Sequence, residues 1–204
     1  MKIRLSSIIV ILFLLFCNYC TAQIGIGTTS PDAQLTINTG TSNKAPLSLG
    51  NLSTAPSSTL SAGQIAMIDN ELYHYDDSRK KWLSMTTMPL TYSKDGATTE
   101  EILFFGGKVA NANSQAILPF KGTIVHISAV CSRSTGTEAK RFNIRIRTNQ
   151  TTTDNYNFSL NNNTYNNTNV DKDFEAGDVI TVRARNSGST VSNPTVMIWV
   201  KWRK

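Results

Sequence analysis

The residues able to carry acid–base, nucleophilic or metal chemistry are few. The chain holds two histidines, His74 and His126, and three cysteines, Cys17, Cys20 and Cys131. His126 and Cys131 are five positions apart in an alternating stretch. On one strand an odd spacing sends two side chains to opposite faces, so they do not form a nucleophile–base pair there. Cys131 reads as a small buried hydrophobe. His74 lies between Tyr73 and Tyr75 on the polar face of a short strand. Asp69, Glu71, Asp76 and Asp77 could offer oxygens to Ca²⁺, but they lack the Asp-x-Asp-x-Asp-Gly regularity of a calcium loop and read as turn formers. No phosphate loop, Gly-x-Ser-x-Gly elbow or paired-cysteine zinc knuckle is present. No catalytic, cofactor or metal residue is assigned, and a non-enzymatic protein is expected.

The most distinctive exposed candidate is the run 161–169, where Asn161, Asn163 and Asn167 surround Tyr165. Asn amides donate and accept hydrogen bonds and a Tyr offers an aromatic face, a combination suited to sugar hydroxyls. Two readings stand: a glycan-contacting loop, or a tolerant surface loop. The Asn-x-Ser/Thr triplets at Asn51, Asn149, Asn157, Asn162 and Asn166 matter only in a host that glycosylates them.

The elements that must position these residues are strands. The chain has 204 residues with 25 Thr, 19 Asn, 40% apolar and 17% charged residues, and a formal charge of +6. Low charge and abundant Thr and Asn exclude a coiled coil and disfavour a helical enzyme; they fit short strands with polar faces. The positive charge is spread rather than clustered, so no nucleic-acid partner is expected.

Residues 1–22 have a basic start, an apolar run from Ile8 to Phe16 and small residues before Gln23. They are expected to be an export signal, too short for a permanent span, leaving no stable membrane span after cleavage. Two of the three cysteines leave with it, so Cys131 has no internal disulfide partner.

Residues 23–62 are small and polar. Ile24 and Ile26, then Leu35 and Ile37, form two very short strands around a Thr-Thr-Ser-Pro turn. They bury too little to order themselves. The segment is either a flexible linker or ordered by copies from neighbouring chains. Residues 63–88 give a hairpin: Ile65–Ile68 and Leu72–Tyr75 flank a turn at 69–71, and Lys81–Ser84 adds a third strand.

Residues 89–204 carry the core. Alternation in 102–105, 115–120, 122–131, 141–147, 156–160, 178–185 and 194–202 yields about seven strands, with Val125, Ile127, Ala129 and Cys131 sharing one face. The fold class is all-β, an antiparallel β-sandwich, jelly-roll-like, behind a short fibrous segment and a β-hairpin. In 194–202, Val196, Ile198, Val200 and Trp202 line one side while Met197 and Trp199 are apolar on the other. That strand is central in the monomer, or its second face meets another subunit.

The opening Gly-Ile-Gly-Thr-Thr-Ser-Pro-x-x-x-Leu and the later Leu-Tyr-x-Tyr-Asp-x-x-Arg-x-Lys-Trp-Leu-Ser resemble secreted bacterial surface and phage tail-fibre-like proteins. The resemblance implies a thin stem and a β-sandwich head, often trimeric. In it Tyr73, Tyr75, Asp76, Arg79 and Trp82 fix the hairpin, Arg79 pairing with a carboxylate or stacking on Trp82. It favours Met197 and Trp199 as a subunit contact. The expected function is a secreted, non-enzymatic structural or adhesive protein, a homotrimer whose head meets a surface glycan or protein. The alternative is a monomeric carbohydrate-binding module. The chain has one Gly-Ile-Gly copy, so a long shaft is not expected.

Overall fold

The computed structural model describes residues 24–26, 28–30, 33–38, 40, 43, 45–106, 115–136, 139–149, 151–186 and 188–204. The export signal read in 1–22 lies outside the described residues. Among the described residues no helix is long and apolar enough to cross a membrane. The chain divides into two units, Met1–Leu49 and Gly50–Lys204.

In the first unit, β1 (Ile24–Ile26) and β2 (Leu35–Ile37) pair in parallel, with Ile24 opposite Leu35 and Ile26 opposite Ile37. Gly25 is required by a close approach, because a Cβ there would lie 2.5 Å from the Thr28 carbonyl oxygen. Ile24, Ile26 and Leu35 are 61%, 56% and 55% exposed, so the pair buries little apolar surface of its own.

The second unit opens with a four-stranded sheet in the order of β3 (Asn51–Leu52), β4 (Ile65–Ile68), β5 (Glu71–Asp76) and β6 (Lys81–Ser84). β3 pairs in parallel with β4, and the rest is an antiparallel meander. The β4–β5 loop is Asp69-Asn70, both residues at positive φ, the mirror-image turn that matches strand twist. Unit two thus begins well before the hairpin motif: Leu52 pairs beside Ile68, and Ala55 and Leu60 pack on the hairpin's apolar face.

Then follow β7 (Met88–Ser93), β8 (Ala97–Thr98), β9 (Ile102–Phe105), β10 (Ala116–Ile117), β11 (Gly122–Val130), β12 (Arg133–Thr135), β13 (Arg141–Thr148), β14 (Thr151–Ser159), β15 (Thr164–Asn167), β16 (Lys172–Phe174), β17 (Val179–Ala184), β18 (Thr190–Ser192) and β19 (Thr195–Trp202). Ten of them make one antiparallel sheet that folds into a sandwich-like, nearly closed body. One layer is β7-β19-β11, with β15 and β16 sharing the outer edge of β11. The other is β14-β13-β17. β9 turns the corner: Ile102 and Leu103 pair with β17, while Phe104 and Phe105 pair with β7. A small sheet, β12-β18-β8, accompanies them. The fold is all-β, as composition and alternation predict.

Period-2 patterning fills the core between the layers. Phe142, Ile144 and Ile146 of β13, Ile180, Val182 and Ala184 of β17, and Val196, Ile198 and Val200 of β19 are buried together. Tyr92 reaches across, its hydroxyl donating to the Ile180 carbonyl at 2.8 Å. Gly122 lets the Phe174 ring lie on the backbone, since a Cβ would meet that ring at 2.4 Å.

Three sequence expectations need correction. The sequence reading names no strand over 88–93, where β7 lies; Pro89 faces Trp199 on one side, and β9 pairs only further along, so the missing N–H sits at an open edge. β14 starts at Thr151 rather than Tyr156, as a polar edge strand. Val125 does not share the face of Ile127, Ala129 and Cys131. A β-bulge between Ile124 and His126 shifts the parity, and Ile124 takes the core position instead.

Ile198 is fully buried, whereas Ile117 is 71% exposed. Ile198→Ala is therefore expected to destabilise the protein by ~2–5 kcal/mol in urea denaturation, and Ile117→Ala by less than ~0.5 kcal/mol. Equal losses would contradict this placement of the core.

Candidate functional site

The hairpin motif is built from two faces. Tyr73, Tyr75 and Trp82 are spaced to one side of β5 and β6, where they form a second small core with Ala66 and Ile68. Tyr75 and Trp82 rings meet at 5.5 Å, and the Trp82 indole N–H donates to the Pro56 carbonyl at 2.9 Å. Tyr73 donates to Glu71 at 2.8 Å, and burial, then this carboxylate, pushes its hydroxyl pKa well up. The opposite face carries Leu83, fully buried, cross-strand from His74. Burial and then nearby Lys201 push the His74 pKa down, so the ring is neutral at pH 7.

The turn between β5 and β6 places Arg79 beside Lys80, which takes a positive φ. Its Nη1 reaches Asp76 Oδ2 at 2.6 Å, and Asp76 Oδ1 also accepts the Arg79 backbone N–H and the Ser78 hydroxyl. The guanidinium then donates to three carbonyls of the large sheet: Nε to Val170 at 2.8 Å, and Nη2 to Val125 at 3.2 Å and Thr168 at 3.3 Å. Val125 is the bulged residue of β11, and its carbonyl accepts the Val170 backbone N–H at 3.2 Å as well as the Arg79 Nη2. Of the two contacts expected for Arg79, the carboxylate pair is the one formed; Tyr75 is the ring against Trp82. Around this junction lies a pocket of ≈470 Å³, bordered by Asp76, Arg79, Val125, His126, Trp199 and Lys201 among others.

That pocket accounts for Trp199. The indole is stacked on His126 at 6.0 Å, and His126 Nε2 is 2.6 Å from the Asn166 amide oxygen. Met197 lies half-buried between Ser128 and Thr91 on the neighbouring strands. Trp199 thus packs on His126 of its own chain beside the hairpin turn. Cys131 sits in the core on the other side of β11, and burial pushes its thiol pKa up.

The Asn-rich run is a hairpin, not an open loop. Asn161 and Thr164 exchange backbone hydrogen bonds around Asn162-Asn163, both at positive φ, a conformation Asn tolerates better than most residues. Asn163 accepts from the Ser134 hydroxyl at 2.5 Å. Tyr165 stacks on Phe158 at 4.4 Å and shares a hydrogen bond with the Tyr156 hydroxyl at 2.7 Å; Asn167 donates to the same hydroxyl at 2.9 Å. Tyr165 thus links β15 to β14 and commits one ring face and its hydroxyl to the body. Asn161 is exposed.

The four carboxylates weighed as calcium ligands are dispersed among separate partners: Asp69 with Lys204, Glu71 with Tyr73, Asp76 with Arg79, and Asp77 with Lys80. Sequence reasoning missed the sheet's half of the Arg79 site. The carbonyls of Val125, Thr168 and Val170 have no side-chain signature, and the bulge at Val125 is not visible in an alternating run.

Burial raises the Asp76 pKa, but the hydrogen bonds from Ser78 and Arg79 outweigh it and bring it down to about 2, from the ordinary 3.8. Its contribution to stability is present above the ordinary value and is lost as pH falls through about 2. Chemical denaturation at pH 5 and pH 2 should show a loss on the order of 2 kcal/mol from this group that Asp76→Asn does not show. Arg79→Ala, which strands a carboxylate with little exposure, should cost ~3–5 kcal/mol at neutral pH. A change under ~1 kcal/mol would refute the anchoring role. Set against protein-family models and curated proteins, the chain matches none.

Proposed function

We propose that the protein is an exported, non-enzymatic structural or adhesive surface protein. Its β-sandwich body acts as a binding head, and the segment before Gly50 assembles with copies of itself, as a homotrimer. One observation carries this reading: β1 and β2 hold Ile24, Ile26 and Leu35 more than half exposed on a pair too small to order itself in water. Association of copies removes that apolar surface from water and offsets the ordering entropy. The apolar run at 1–22 supports export. The gain in function is avidity: several weakly binding heads held together raise one another's effective concentration. The surroundings of Cys131, His74 and His126 support a non-enzymatic reading, since the thiol is in the core and His126 is engaged with Asn166.

Sedimentation velocity of the purified protein tests the assembly. A species of three times the chain mass is expected at micromolar concentration, converted to monomer by Ile24→Asp with Leu35→Asp while the melting of the β-sandwich is unchanged. A monomeric wild-type protein would overturn the proposal.

A further inference from the structure

The outer face of the β14-β13-β17 layer carries a charge arrangement that neither the core nor the hairpin explains. β13 turns Phe142, Ile144 and Ile146 inward, which leaves Arg141, Asn143, Arg145 and Arg147 outward. Register sets Asn157 of β14 and Arg183 of β17 on either side of Asn143, and Asn155 beside Arg145. Arg185 donates its backbone N–H to the Arg141 carbonyl at 2.9 Å, which brings Arg185 alongside Arg141. Arg141, Asn143, Arg145, Asn155, Asn157 and Arg185 border a groove of ≈850 Å³, and among the described residues Glu100 is its one lining carboxylate.

The groove is internally organised. Arg145 Nε donates to Asn143 Oδ1 at 2.6 Å, Asn143 Nδ2 to Asn157 Oδ1 at 2.8 Å, and Asn157 Nδ2 to Asn155 Oδ1 at 3.2 Å. This relay fixes the Arg145 guanidinium by one edge and leaves its Nη groups without an acceptor among the described residues. Arg141 and Arg185 are exposed, and their side chains make no hydrogen bond or ion pair among the described residues. Arg183 lies 4.0 Å from the Glu100 carboxylate and donates from Nη2 to the Glu100 backbone carbonyl at 3.4 Å. Burial, and then Arg183, Arg185 and Arg147, push the Arg145 pKa down, as mutual repulsion among cations requires. By contrast, Lys81 holds Asp171 and Asp173 at 2.6 and 2.8 Å, and Arg203 holds Glu175 at 2.6 Å.

We propose that this groove binds an acidic polysaccharide, with Arg141, Arg145 and Arg185 pairing to its carboxylate or sulfate groups and the Asn143, Asn155 and Asn157 amides meeting its hydroxyls. The guanidinium fork suits planar and tetrahedral oxyanions alike. Cations repeated along a strand, with Arg141 and Arg145 about 13 Å apart at ~3.3 Å per residue, suit a linear polyanion over a single small anion. Nucleic acid fits less well. The aromatic side chains at the groove, Phe142 and Phe158, are 1% and 6% exposed and belong to the core, so no ring is offered for base stacking. The inference rests on the adhesive reading and names the class of partner the head would hold.

Biolayer interferometry of the purified protein on immobilised dextran sulfate, polygalacturonate and neutral dextran tests it, with single-stranded DNA as a fourth surface. Binding to dextran sulfate, to polygalacturonate or to both is expected, with a steep decline as salt rises and none to neutral dextran; the two acidic arms tell sulfate from carboxylate. Arg141→Ala with Arg185→Ala, and the Gln versions of both, should weaken that binding at least about tenfold with unchanged melting. Lys121→Ala with Arg133→Ala, an equal loss of charge elsewhere, should not. The proposal fails if neither acidic polysaccharide binds, if neutral dextran binds as well, if DNA binds more tightly than both, or if the two pairs of substitutions weaken binding equally. A monomer that binds the polyanion would sink the homotrimer and leave this assignment standing.

Discussion

The Arg79 guanidinium ties the four-stranded hairpin sheet to the ten-stranded sheet of the larger unit. Arg79 is planar, permanently charged and supplied with donors in a rigid fork, and it spends them on one carboxylate and three backbone carbonyls that belong to distant parts of the chain. A lysine could satisfy the charge of Asp76 but not the geometry of three separate acceptors. Each side of the contact has an irregularity: Lys80 takes a positive φ beside Arg79, and β11 bulges at Val125, whose carbonyl Arg79 shares with the Val170 N–H.

The rest of the seam follows from that anchor. With the turn fixed, Ser84 Oγ accepts the Trp202 N–H at 3.0 Å, the Lys204 N–H reaches the Trp82 carbonyl at 3.1 Å, and Leu83 is closed off from solvent. The ion pairs along the same seam, Lys81 with Asp171 and Asp173 and Lys204 with Asp69, involve carboxylates that are substantially exposed, and exposed pairs contribute little each. Burial of Leu83 and the near-buried Arg79–Asp76 pair therefore carry more of the attachment than the more numerous surface charges.

What could be read from the residues alone was whatever obeys a strict period of two. β13 and β17 alternate cleanly, and their inward faces, with that of β19, are the core. Irregularities defeated the reading. Val125 was assigned to the wrong face because one inserted residue reverses every inference that counts across it. β7 was missed at Pro89, where an edge position makes the lost N–H harmless. The Asn run reads as a glycan-contacting or a tolerant surface loop because its amides are polar; the turn at Asn162 and Asn163, where both take a positive φ that Asn tolerates, has no such signature. Tyr165 was read as an exposed ring because its neighbours are polar; its actual neighbours, Tyr156 and Phe158, lie on another strand. The parallel pairing of β1 with β2 also went unforeseen, since eight intervening residues make a short connection for parallel strands.

The bulge in β14 bears on how the protein behaves when crowded. This strand ends its sheet, so half of its amides and carbonyls lack a neighbour. Its register with β13 slips at Thr153, its first residues are Thr151, Thr152 and Thr153, and Asp154 is held by Lys172 at 3.0 Å. An irregular rim of hydroxyls and a tethered charge gives a passing β-strand no flat template to extend. Dense packing of such molecules side by side need not seed cross-β growth.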